Sequence, residues 1–239
     1  MEKLRDKPRR AKRAAPRQPR RTQEERRSQT QDRLINAVIE VIRQKGYAGL
    51  RARDVTAASG VTWGAAQHLF GDKNELLLQV ATRVSDALVQ QLDTRNEARG
   101  GDLRQRVATV VNLIWEVYSS QDYFAMVEIV RGTRADVRFH EKLVESLARL
   151  STRIERLWLD IFEDAPASEA QSLACCNIVV LTLSGLAARK IYLRLGPQTD
   201  AILDELIDSI ATSLRNARKA TATTRATAKR RREPVPVIV

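Results

Sequence analysis

The sequence predicts an all-α fold, and three observations carry the prediction. Apolar residues between positions 31 and 214 recur three and four apart, the spacing that lines one face of a helix. No polar/apolar alternation of useful length competes as a strand. Two of the stripes open on an Asp or Ser answered three residues later by Glu or Gln, the pairing that caps a helix N-terminus. About nine helices are expected.

Taken in order, residues 1–27 hold Pro8, Pro16 and Pro19 among clustered Lys and Arg, a composition that cannot bury enough apolar surface to fold alone, so they are expected as a disordered basic tail. Leu34, Val38, Val41 and Ile42 make the first stripe, with Gly46 placed to end it. Residues 51–70 hold two short helical segments separated by Ser59-Gly60-Val61. Leu77, Val80, Ala81, Val84 and Leu88 follow in a long helix from Asp72 to about Asn96, with Glu75 as the answering residue, and Gly100-Gly101 breaks the chain. Val107, Val110, Val111, Ile114 and Tyr118 form a stripe behind Asp102. Leu143, Leu147, Leu150, Ile154, Leu157, Trp158 and Ile161 form a longer one, closed by Pro166. Ser168 with Gln171 opens a helix that Gly196-Pro197 ends near Leu195, and Leu203, Leu206, Ile207, Ile210 and Leu214 mark the last. Residues 219–239, with Lys229-Arg230-Arg231-Arg232, read as a second basic tail.

The stretch Ala170–Ala188 holds 19 consecutive uncharged residues and approaches the length of a membrane span. It also holds Gln171, Ser172, Asn177, Thr182 and Ser184, and charged Glu169 and Arg189 flank it. A core helix buried on two sides, against its own domain and against a second subunit, explains it more simply, and no membrane partner is expected.

Charge is distributed unevenly. The chain of 239 residues has a formal net charge of +12, yet residues 1–30 carry 12 basic against 4 acidic side chains, residues 215–239 carry 8 against 1, and residues 31–214 sum to −3. A partner with phosphates is indicated, but the folded part does not attract it by bulk charge. With 43 % hydrophobic residues the middle of the chain is long enough to bury a real core without staples. The two cysteines, Cys175 and Cys176, are adjacent and offer no disulfide framework, which suits a reducing, cytoplasmic compartment. His68 and His140 lie far apart with no Cys or His at ligand spacing, so no metal and no cofactor is expected. Cys176 with His140 lacks any flanking nucleophile signature, which argues against an enzyme.

The chemistry lies in residues 51–70. Gly60 stands where a helix-turn-helix backbone turns left-handed, Thr62 can cap the second helix, and Val55, Val61, Ala66 and Phe70 can face the core. Trp63, Ala65, Gln67, His68 and Leu69 are left to face outward. Such a helix enters the major groove of double-stranded DNA, where Gln67 can pair with adenine and Trp63 can offer apolar contact to a thymine methyl. Lys73, at the start of the next helix, is a candidate phosphate contact. Arg51, Arg53 and Gly64 complete the candidate DNA-binding set.

Residues 33–78 resemble the N-terminal domain of the TetR family of bacterial regulators. The matching residues are Gly46-Tyr47, Ser59-Gly60-Val61-Thr62, Gly64, His68, Phe70, Lys73 and Glu75-Leu76. The departures are Ser59 for the common Ala, Thr56 for a small Ala, and Gln67 for the family's Tyr, a change that removes a phenol which typically meets a phosphate. The resemblance implies a nine- or ten-helix Ω-shaped homodimer. Residues 28–88 would be the DNA-binding domain and residues 89–218 the effector-binding and dimerisation domain. Helices 168–195 and 200–215 would build the dimer bundle. The implied function is a ligand-responsive repressor that reads a palindromic operator and is nucleoid-associated through DNA, with an unidentified small-molecule effector. Trp115, Tyr118, Phe124, Glu128, Arg131, Trp158 and Asn177 are the candidate effector-pocket residues, being polar or aromatic on otherwise apolar helices. The competing reading is a basic helical protein that coats nucleic acid or binds RNA without sequence preference, driven by the tails.

Overall fold

The computed structural model describes residues 22–94, 101–192 and 198–216. Among them are nine α-helices and no strand: α1 (Gln23–Lys45), α2 (Ala52–Ser59), α3 (Trp63–Phe70), α4 (Lys73–Thr94), α5 (Leu103–Tyr118), α6 (Gln121–Gly132), α7 (Val137–Ile161), α8 (Glu169–Tyr192) and α9 (Gln198–Arg215). Short 3₁₀ turns precede α2 at Tyr47–Gly49 and α7 at Thr133–Ala135. The tail at 219–239 and the break at Gly196-Pro197 lie outside the described residues.

The first helix starts earlier than the sequence reading places it. Thr22 accepts a hydrogen bond from the Glu25 amide at 3.2 Å while Glu25 Oε2 accepts from the Thr22 amide at 2.8 Å, a complete capping box. Residues 23–27, assigned above to the tail, are therefore helical, because two backbone donors that would otherwise face water unpaired are satisfied reciprocally. Asp102 and Gln105 build a second complete box at α5.

At two other starts the answering residue also works elsewhere. Asp72 Oδ1 accepts from the Glu75 amide at 2.8 Å, and the Glu75 carboxylate reaches Lys142 on α7 at 3.2 Å. Ser168 accepts from the Gln171 amide, and the Gln171 side chain donates to the Ser213 and Asn216 carbonyls at the end of α9. The α8 start and the α9 end are thus tied to each other.

One hydrophobic cluster runs through the whole structure. Leu34, Val38 and Ile42 of α1 meet Leu77, Val80 and Val84 of α4, and the cluster continues through α5 and α6 to Leu143, Ile154 and Trp158 of α7 and Val179 and Leu183 of α8. α4 packs on α1 at one end and on α5, α6 and α7 along its length, so it joins the two halves. Arg106, a charged residue buried to 8 % exposure, is held bidentately by Asp164 at 2.7 and 3.0 Å and donates to the Ile161 carbonyl at the end of α7.

α8 is the one helix among those described that is long and apolar enough to cross a bilayer by length and composition. Its inner face, Ser172, Cys175, Cys176, Val179, Val180, Leu183 and Leu186, is sunk in the core against α5, α7 and α9. Ala174, Ile178, Leu181 and Gly185 make an outward stripe at helical spacing, with Ile178 at 50 % and Leu181 at 58 % exposure.

Candidate nucleic-acid interface and ligand cavities

The turn between α2 and α3 is built from backbone needs. Gly60 sits at φ 65°, ψ 19°, a left-handed conformation that costs any residue with a Cβ, and its amide closes α2 on the Thr56 carbonyl. Ser59 is buried; its hydroxyl accepts from the Val61 amide at 3.1 Å and its carbonyl accepts from Arg33 Nη2 of α1 at 2.5 Å. A cation thus meets the negative end of α2 and ties it to α1. Thr62 caps α3 by accepting from the Ala65 amide at 3.3 Å. Val55, Val61 and Ala66 are buried and Phe70 is half-buried against the core.

These anchors decide which face of α3 is free. Thr62, Gly64, Ala65, Gln67 and His68 are exposed, and among the described residues nothing beyond its own helical turn lies within 4 Å of where a Cβ on Gly64 would be. Trp63 and Leu69 are corrections: both are half-buried and pack against the core, since a large apolar ring gains more from that surface than from water. Only part of the Trp63 indole is left for an outside contact. Arg51 and Arg53 are exposed at the start of α2, and Ala57 and Ala58 near its end face solvent as well, although such small residues could be expected to let α2 and α3 approach closely.

Lys73 is exposed at the start of α4, with its ammonium 5.5 Å from the centroid of the Tyr47 ring. Tyr47 in turn lies flat on α6: a Cβ at Gly132 would fall 2.0 Å from Tyr47 Cδ1. Burial, with the Asp136 carboxylate nearby, pushes the Tyr47 phenol up. Asn74 donates to Asp136 at 3.1 Å, and Arg83 of α4 donates to Asn36 of α1 at 2.7 Å while pairing with Asp122 of α6 at 2.9 Å. The reading half is therefore clamped to the rest by a ring on a glycine and by polar ties from α4 to α1, α6 and α7.

Two cavities lie beyond that clamp. The inner one, about 30 Å³, is lined by Leu88, Tyr118, Tyr123, Met126, Leu147, Leu150, Ser151, Ile154, Glu155, Cys176, Asn177 and Val180. Tyr118 and Tyr123 stack with centroids 4.3 Å apart, and burial pushes both phenols well above the usual tyrosine range. The outer one, about 290 Å³, is an open cleft lined by Arg43, Tyr118, Ser119, Ser120, Gln121, Phe124, Ala187 and Lys190. Tyr118 is the wall common to both.

Of the effector-pocket candidates, Tyr118 and Asn177 line the inner cavity, and Tyr118 and Phe124 the outer one. Four line neither. Trp158 is buried to 1 % exposure, donates its indole N–H to Ser172 Oγ at 3.1 Å and packs on Phe162, so it is core with its one polar atom satisfied. Trp115 packs against the core, Glu128 faces the backbone at Gly46, and Arg131 is exposed at the end of α6. Tyr123, Glu155, Ser151 and Lys190 were missed; each is polar on a striped helix, the same signal that singled out Tyr118. Burial pushes the Cys176 thiol up to about 12, and His140 Nδ1 lies 3.3 Å from the Thr133 hydroxyl.

Comparison with known proteins follows the same geometry. Residues 34–80 match the family model for bacterial regulatory proteins of the tetR family. The HTH-type transcriptional regulator CymR of Pseudomonas putida is 30 % identical over 176 residues, which is 72 % of this chain and 85 % of that protein. The chain belongs to the TetR family. As such it is a DNA-binding transcriptional regulator, and a cytoplasmic one. Another relative, the HTH-type transcriptional regulator BetI of Paraburkholderia phytofirmans, is 34 % identical over 78 residues, 33 % of this chain and 40 % of its own. A transcriptional regulator from Rhodococcus sp. Rha1 shares the fold with a TM-score of 0.61 at 18 % identity, covering 77 % of this chain and 95 % of that one. A TetR-family regulator from Mesorhizobium loti does so at 0.61 and 12 %, covering 79 % and 96 %.

Proposed function

We propose that this TetR-family regulator is a ligand-responsive repressor that binds a palindromic operator as a homodimer, is not an enzyme, and reaches the nucleoid through its DNA contacts. The observation that carries the DNA-reading half is the free face of α3. Gln67 and His68 point outward beside the bare backbone of Gly64, on a helix whose opposite side is pinned by Val61 and Ala66. Gln67 reads a base edge, and Arg51, Arg53, Thr62, Gly64, Ala65 and the accessible edge of Trp63 surround it; Lys73 meets a phosphate.

The dimer rests on the outward stripe of α8 together with Ile202 of α9, apolar groups that stand exposed among the described residues. Two such subunits would set their reading helices roughly one duplex turn or a little more apart, ~34–36 Å. Residues 22–88 act as the reading domain and the helices beyond as the dimerisation and effector domain. Ligand binding in the latter would act through α4, which the Arg83, Asn74 and Glu75 ties couple to α1, α6 and α7. The coupling required is modest, ~1–3 kcal/mol.

Selection of bound sites from a random duplex library at near-physiological salt tests the reading. Enriched inverted repeats are expected. Featureless enrichment with a steep salt dependence would instead favour a non-specific nucleic-acid-coating protein and overturn it.

A further inference from the structure

The two cavities differ by a factor that decides what each can hold. The inner one, about 30 Å³, has room for a water molecule and little more. The outer cleft, about 290 Å³, approaches the size of small-molecule sites. Its lining holds two cations, Arg43 and Lys190, and no carboxylate. Arg43 already grips Glu40 bidentately at 2.6 and 2.8 Å, which holds the Glu40 carboxyl down at about 2. Lys190 is different. Its ammonium donates to the Ser119 carbonyl at 2.8 Å, and among the described residues no carboxylate pairs with it.

Around that cation stand the Ser119 and Ser120 hydroxyls and the Gln121 amide, while the aromatic faces of Phe124 and Tyr118 and the Ala187 methyl supply an apolar wall. A polar, net-positive end and an aromatic end in one cleft describe an amphipathic organic anion. The location matters as much as the lining: Arg43 belongs to α1 of the reading domain, Ser119 to Phe124 to the α5–α6 junction, and Ala187 and Lys190 to α8. An occupant would touch both halves of the molecule at once.

We propose that this junction cleft, rather than the inner cavity, takes the effector, and that the effector is an apolar-tailed or aryl-tailed carboxylate anchored on Lys190. The proposal rests on the ligand-responsive reading above. Binding of the carboxylate draws Lys190 of α8 toward an acceptor seated beside the Arg43–Glu40 pair of α1, and so resets α1 against α8.

The test uses the full-length protein and matched probes that share a carbon skeleton: 4-phenylbutanoate, 4-phenylbutan-1-ol and 4-phenylbutylamine, with decanoate, decan-1-ol and decylamine as a second series. Binding by calorimetry and operator affinity are measured for wild type, Lys190→Met and Lys190→Arg. The carboxylates are expected to bind and to weaken operator binding, with the alcohols and amines weaker by about tenfold or more. Lys190→Met should lose the preference for carboxylate while ligand-free operator affinity stays unchanged, and Lys190→Arg should restore it. A preference for the amine or alcohol, no binding by either carboxylate, or carboxylate binding that survives Lys190→Met would each overturn the proposal. Operator selection without ligand reports on the regulator reading separately.

Discussion

The reading half of this molecule and the helices beyond it use the same packing but leave different things at the surface. On α3 the core anchors one face completely and leaves the other as backbone, amide and hydroxyl, so the free side chains are few and each has one plausible task. Beyond the reading half the cavity walls come from α4 to α8, with Arg43 of α1 added at the outer cleft, and the residues that line them are set by how those helices are rotated against one another. A local motif specifies the first surface, whereas only the assembled helices specify the second.

The largest expected effect separates the two halves by pH. Cys176, Tyr118 and Tyr123 are all held neutral by burial, each pushed above its ordinary value of 9 or 10, and all three lie in the helices beyond α4. The unfolded chain releases these protons first, so the stabilisation is fully present below about pH 9. It is lost as pH rises towards the folded values, at ~1.4 kcal/mol per pH unit for each group past its unfolded value. Urea midpoints between pH 8 and 11, with Cys176→Ala flattening the first part of the fall, check this.

Next in size is the contact where the halves meet. Gly132→Ala places a methyl inside the Tyr47 ring and should cost ~1–3 kcal/mol by thermal melting. Tyr47→Ala in the same chain should recover part of the loss, because the ring is what the methyl strikes.

Within the reading half, Gln67→Ala should cost ~1–3 kcal/mol of discrimination at one base position while leaving affinity for random duplex nearly unchanged, as competition binding would report. Lys73→Ala is expected to be milder, a severalfold loss on all duplexes with the salt slope reduced by about one. A Lys73 variant with an unchanged slope would return that side chain to its packing role on Tyr47.

Much of the fold was legible because helix starts and turns are decided locally. The α5 start behind Asp102, the Thr62 cap and the left-handed Gly60 all stand where their residue types predict. The Thr22–Glu25 box was equally readable and was obscured by the basic composition around it. What sequence could not supply was the second task of a capping residue: that Glu75 also pairs with Lys142, or that Gln171 also bonds the end of α9, depends on partners 67, 42 and 45 positions away. The same holds for the cavities. Trp158 and Tyr118 look alike on their stripes, and one is core while the other is a wall, because Ser172 happens to face the first.

Gly64 carries a consequence of its own. A methyl there would meet no other described residue within 4 Å beyond its own turn of helix, so the packing seen gains nothing from its absence, and a helix forfeits up to about 1 kcal/mol by keeping glycine rather than alanine. A chain tuned for durability alone would fill the position. Were α3 to lie in a groove, a bare position there would set how near the partner's surface can come to the helix axis, a clearance measured in single methylenes.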